Sequence, residues 1–185
     1  TPAALRSAPY ACPYYRDYVD AALGADSDFA ATPGLLEGGP ESCSLAGAER
    51  LRDTLGEFQG GKVLLSVLGQ PFKCPPAPSE CVLMLHTHLT ELGIRTESTI
   101  TLTSPLPSPV PPAPLASEAI LAAFAERDIR FIPGVRIAAL DGAAGVVRLD
   151  SGDELPYDLF LGVPRHHAPQ VVLDRAELRK EAENV

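Results

Sequence analysis

After Lys62 the chain runs Val63-Leu64-Leu65-Ser66-Val67-Leu68 up to Gly69, an apolar run broken by a single hydroxyl. A short run of this kind without alternation suits a strand buried on both faces, the situation inside a parallel sheet. Residues 79–92 then read as a helix stopped by Gly93, with Ser79 as its N-cap, and residues 98–103 as a second strand. Strand, helix and strand with a short return make a βαβ unit.

The remaining pattern extends that unit. Upstream, Ser44 opens a helix in which Leu45, Ala48, Leu51, Leu55 and Phe58 recur at spacings of three and four, and the Gln59-Gly60-Gly61 stretch ends it. Downstream, residues 105–114 contain six prolines, so the stretch is expected to run extended as a rigid arm. Docking of this arm on an SH3-like partner is the lesser reading. Ser117 and Glu118 begin a helix whose apolar face is Ile120, Leu121, Phe124 and Ala125. A strand at 129–133 follows. Residues 135–140 and 146–149 read as an antiparallel hairpin, and 158–163 as the last strand. The sum is a Rossmann-like α/β domain, a parallel sheet with a β-meander crossover.

Residues 1–44 show no sustained period and read as connection rather than core, apart from a weak strand at 18–23. The expected divisions are therefore a lead segment at 1–44, the Rossmann-like domain at 45–173 and a charged tail at 174–185. The length of 185 residues suits one ordinary domain of roughly 100 to 200 residues. With 15 Lys and Arg against 24 Asp and Glu, the net charge is −9, which argues against a nucleic-acid partner held through phosphates. No apolar stretch approaches the ~20 residues that span a bilayer, and no signal-like layout opens the chain, so a cytoplasmic location and no transmembrane segment are expected. Four cysteines (Cys12, Cys43, Cys74, Cys81) in such a setting suggest thiols or one redox-active cysteine rather than a disulfide framework.

In a doubly wound sheet ligands sit beyond the carboxyl ends of the strands, which points to the turn after residues 63–68. A dinucleotide diphosphate needs glycines and free N–H groups there. This turn instead carries Pro71, Pro75, Pro76 and Pro78, and the second strand ends at Ser104-Pro105 without an acidic residue for a ribose. NAD is disfavoured on both counts. The turn does present Cys74, beside Lys73 and just ahead of a helix, a setting that favours the nucleophilic thiolate. The plainer alternative is a loop cysteine that merely packs.

The segment Lys73-Cys74-Pro75-Pro76-Ala77-Pro78-Ser79-Glu80 resembles the RCPPGPYE-type segment of the sulfide:quinone reductase and flavocytochrome c sulfide dehydrogenase group, within the FAD-dependent pyridine nucleotide-disulfide oxidoreductases. Lys for Arg and Ser for Tyr are the departures. Residues 32–37, 124–129, 155–164 and 166–172 resemble the same group in the same order, so the likeness runs over about residues 18–173. It implies an FAD enzyme in which the cysteine at position 74 pairs with a second cysteine near the end of the complete protein. A sulfur donor opens that disulfide, and electrons pass through flavin to a quinone or a haem protein. It also implies FAD contacts at Ala22, Gly24 and Pro164, although Asp20 departs from the apolar strand expected there.

Neither a GxGxxG turn nor the second FAD-contacting region of that group is found, so the chain is expected to correspond to the middle of a flavoenzyme and to be inactive alone. Two rival readings remain. One is a non-catalytic domain that associates through an apolar surface, for example as a homodimer. The other is an FAD oxidoreductase fed by NAD(P)H. Among further candidates, Cys81 reads as a buried structural thiol, and His86 and His88 point apart on a helix, unsuited to a shared metal. No metal site is expected. Asp153 and Glu154 belong to a turn. His166 and His167 are either a polar lip facing flavin or quinone, or surface histidines in a loop.

Overall fold

The computed structural model describes residues 26–41 and 43–167. The weak strand at 18–23, Ala22, Gly24, Cys12 and the 174–185 tail lie outside the described residues. In chain order the elements are β1 (Asp26–Asp28), a 3-10 turn (Phe29–Ala31), α1 (Leu35–Gly38), α2 (Leu45–Glu57), β2 (Gly61–Val67), α3 (Ala77–Glu91) and a 3-10 turn (Arg95–Glu97). Next come β3 (Ser98–Ser104), α4 (Pro114–Ala125), β4 (Ile129–Pro133), β5 (Ile137–Asp141), β6 (Val146–Leu149), β7 (Glu154–Pro156), β8 (Leu159–Val163) and β9 (Arg165–His167).

The expected parallel sheet is present, with four strands in the order β4-β3-β2-β8. β2 lies inside it and its last five residues are buried. Successive side chains of a strand point to opposite faces, and the two faces of β2 meet two different cores. Val63, Leu65 and Val67 join Val82, Leu85 and Leu89 of α3, Ile100 and Leu102 of β3, and Phe124 of α4. Leu64 joins Phe160 of β8 and a second cluster formed by Leu35, Ile137, Leu140, Val147 and Tyr157. The three-stranded antiparallel meander β5-β6-β7 supplies that second layer. The hydroxyl that interrupts the run is matched: Ser66 lies opposite Thr103 in register, and Thr103 Oγ1 donates to Ser66 Oγ at 2.8 Å, with both side chains fully buried.

Residues 26–41, expected to connect rather than to pack, contribute Leu35 to the second core. Tyr157 bridges to the same segment, its hydroxyl donating to Gly38 O at 2.9 Å while its ring meets Phe160 at 5.2 Å. Gly162 N–H donates to Pro40 O, and Glu41 makes an isolated parallel bridge to Gly162. Glu41 is buried, and its carboxylate accepts from the N–H groups of Cys43 and Ser44 at the start of α2. Ser44 caps α2 as expected, accepting from Gly47 N.

Two helix starts differ from expectation for one reason. α3 begins at Ala77 with Pro76 at its N-cap, so Ser79 is not the cap but a buried first-turn residue. α4 begins at Pro114 rather than at Ser117. First-turn N–H groups have no partner inside a helix, so proline is tolerated there. The proline arm is not a straight extended rod either. It bends over 105–112, and Val110 N–H and Val110 O both bond the Ser117 hydroxyl, at 3.0 and 2.9 Å. On α4, Phe124 is buried and Ile120 packs on the core, whereas Leu121 and Ala125 are exposed. The buried face is therefore narrower than its hydropathy suggests.

Arg95 ties the far end of the sheet together. It donates to His86 Nδ1 at 2.9 Å, to Ser98 O at 2.7 Å and to Asp128 O at 2.9 Å, linking α3, β3 and the end of α4. Among the described residues no helix is long and apolar enough to cross a membrane. Truncating Phe124 to Ala should cost about 3–5 kcal/mol, and truncating Leu121 to Ala about 0.5 kcal/mol or less. Urea unfolding of the two variants checks this; equal losses would contradict the α4 orientation.

Candidate functional site

Strand order fixes where a site can form. From β2 the chain crosses through α3 to β3 and then through α4 to β4 on one side, while β8 lies on the other side of β2. The order thus reverses between β2 and β8, and the crevice beyond their carboxyl ends is where open α/β sheets take ligands. Two segments leave the sheet there, the 68–76 loop after β2 and the 164–167 segment after β8.

These segments are hydrogen-bonded to each other. Leu68 N–H donates to Val163 O at 2.9 Å, and His166 N–H to Pro71 O at 2.8 Å. Lys73 N–H donates to the ring of His166 at Nδ1, 3.3 Å. A Cβ on Gly69 would stand 3.1 Å from Arg165 Cβ, so this glycine serves a close approach within the chain. β9 itself pairs antiparallel with β1, and Arg165 bonds the Asp28 carboxylate across that pair. This guanidinium holds the Asp28 carboxyl below its ordinary range.

Cys74 is exposed at the tip of this loop. Its φ is +56°, the left-handed region that costs a non-glycine residue roughly 1–2 kcal/mol. Its carbonyl accepts from Ala77 N at 2.9 Å, closing the turn into α3. Such a backbone outlier is a reason to ask about function. The other described cysteines sit differently: Cys43 and Cys81 are half-buried and pack against the helix-side core. Lys73 is half-buried and directs its ammonium to Cys43 O at 3.4 Å, at the entrance to α2. Pro164 is buried between β8 and β9.

His166 is not a surface histidine in a loop. It is the middle residue of a three-residue strand and only 3% exposed, while its neighbours Arg165 and His167 are exposed. Because Nδ1 accepts a bond, the neutral ring carries its proton on Nε2, and that buried atom has no hydrogen-bond partner among the described residues. A buried donor left unmade costs about 1–3 kcal/mol. Burial, helped by Lys73 and His167, lowers the His166 pKa. The pattern that reveals the residue is the period-two alternation of Arg165-His166-His167, too short to stand out in the sequence.

The remaining candidates fall outside this crevice. Burial first, then Arg95 and Arg127, lowers the His86 pKa at the far end of the sheet. An apolar groove of 480 Å³ between α2 and α3 is lined by Leu51, Leu55, Phe58, His88, Leu92 and Ile94, none of them in the 68–76 loop. Glu154 pairs with Arg148 on the meander surface. No group of three or more His, Cys, Asp or Glu is placed to hold a metal ion among the described residues.

Replacing Cys74 by Gly should leave the chain about 1 kcal/mol more stable than replacing it by Ala, because only glycine escapes the left-handed penalty; equal stabilities in chemical denaturation would contradict the +56° backbone. His86 and His166 titrate lower folded than unfolded, so the unfolded chain binds more protons and stability falls as pH drops through their ordinary 6.5. The denaturation midpoint should decline from about pH 8 to about pH 5, and less steeply in the His86→Gln, His166→Gln double variant.

No protein-family model and no curated protein sequence matches the chain. Solved structures do. The chain is similar to the sulfide:quinone oxidoreductase of the hyperthermophilic bacterium Aquifex aeolicus, with 24% identity and a TM-score of 0.66, over 81% of this chain and 36% of that one. It is similar to NDH2 from Plasmodium falciparum, solved in complex with NADH, with 12% identity and a TM-score of 0.65, over 86% and 37%. It is also similar to reduced Bacillus anthracis CoADR-RHD, with 20% identity and a TM-score of 0.58, over 86% and 26%. The chain thus spans roughly a quarter to a third of these proteins. What is shared is a Rossmann-type fold of the kind found in flavoprotein oxidoreductases.

Proposed function

We propose that the chain is part of an FAD-dependent oxidoreductase that oxidises sulfide or a related sulfur donor through Cys74 and passes the electrons to a quinone or a haem protein. The observation that carries this reading is an exposed cysteine in a left-handed turn at the β2/β8 reversal. The likeness in fold to a sulfide:quinone oxidoreductase supports it. Lys73 sets the loop beside Cys74, and Pro164 with Ala22 and Gly24 would contact the flavin.

The described residues do not themselves form a dinucleotide cradle. Prolines at 71, 75, 76 and 78 offer no N–H, and Gly69 already faces Arg165. Bound flavin supplies a two-electron acceptor; no electron-transfer step is assigned to residues 26–167, and the chain alone is proposed to be inactive. Their part is sulfur chemistry. Hydrosulfide attacks a disulfide that includes Cys74, forming a new S–S bond as the old one breaks. The products are a persulfide on one sulfur and a thiolate on the other, and the thiolate keeps the electron pair of the broken bond.

The sulfur step can be tested on the chain itself. Each cysteine is converted, in variants retaining only one, to its mixed disulfide with thionitrobenzoate, a good leaving group. Hydrosulfide should then release the coloured thiolate from Cys74 at least about tenfold faster than from Cys43 or Cys81, leaving one added sulfur atom on Cys74 by mass spectrometry. Equal rates at all three would favour a non-catalytic domain. Saturable NADH binding would favour the NAD(P)H-dependent alternative, consistent with the shared fold of the NADH-bound NDH2.

A further inference from the structure

The loop ahead of Cys74 is attached to a single residue at two points. His166 N–H holds Pro71 O at 2.8 Å, and His166 Nδ1 holds Lys73 N–H at 3.3 Å. The two attachments bracket Phe72, whose ring packs on the helix-side core, and the second fixes the peptide immediately before Cys74. The His166 ring is buried, so water does not readily replace it as the acceptor. Nδ1 must keep its lone pair for the bond to exist, which places the proton on Nε2.

The charges around the ring favour the same neutral state. The Lys73 ammonium is on the loop, His167 is the next residue, and Arg165 on the other side is paired with Asp28 of β1. A positive charge on the ring would be disfavoured beside these groups, and it would also cost Nδ1 its role as acceptor.

We infer that His166, neutral and protonated on Nε2, is the positioning residue of the Cys74 loop: by accepting from Lys73 N–H it sets the left-handed turn that presents the sulfur. Its consequence for chemistry rests on the sulfur reaction proposed above, whereas its geometry does not.

The test separates the two. Asn places an oxygen near the position of Nδ1 and can accept from Lys73 N–H, whereas Phe fills the space and cannot. In the 185-residue chain, heteronuclear NMR should show His166 with a bare Nδ1 and a protonated Nε2. The Lys73 amide should exchange with solvent at least about tenfold faster in His166→Phe than in the native chain and return towards native in His166→Asn. The backbone coupling at Cys74 should report the left-handed conformation in the native chain and the Asn variant only. Sulfide addition to the Cys74 mixed disulfide should follow the same order. A proton on Nδ1 in the native chain overturns the inference without any variant. So does a Lys73 amide equally protected in all three proteins, or sulfide addition that ignores the change. If even the native chain shows no preference for Cys74, the proposed function fails, and the NMR arms still decide whether His166 positions the loop.

Discussion

Everything in this fold depends on burying β2 from both sides. Val63, Leu65 and Val67 on one face and Leu64 on the other satisfy two separate cores, one built by helices and one by the meander. Each buried aliphatic side chain of this kind contributes about 1.5–3 kcal/mol relative to exposure. A strand buried on both faces needs neighbours along both edges, and β3 and β8 provide them. The neighbours come from opposite directions of chain travel, so the strand that anchors the core also marks where the order reverses.

That coincidence is the reason the proposed chemistry is assigned to the loop following β2. The loop is not a flexible connection: it is attached to β9, which is in turn paired with β1. Where a nucleotide-binding turn would keep its N–H groups for an anion, this one gives Lys73 N–H to a histidine ring and has proline at three positions. It presents an exposed sulfur in a left-handed turn. Positions such as Cys74, held in a sparsely populated conformation by surrounding bonds, are where proteins store strain for function.

Much of this is legible in the sequence, in unequal degree. The run 63–68 announces a doubly buried strand because no polar face is present to alternate with, and the structure extends it only to Gly61–Val67. Both helices start earlier than the sequence suggests because proline reads as a breaker, yet Pro78 and Pro114 occupy first-turn positions that lose no hydrogen bond. The spacing of Ile120, Leu121, Phe124 and Ala125 puts Leu121 on the apolar face of its helix, although only Ile120 and Phe124 of that face reach the core. The position of Cys74 at the carboxyl edge follows from strand order, but its backbone conformation does not follow from residue type. His166 is the least legible in the sequence, because three residues of strand are too few for a pattern and its partner lies 93 residues away.

A mercurial bound to the chain and located by crystallography would test the account most directly. The account predicts metal at Cys74, in solvent beyond the carboxyl ends of β2 and β8, with the loop still joined to His166. Metal elsewhere with Cys74 unlabelled, or a Cys74 sulfur enclosed by aliphatic side chains, would contradict it.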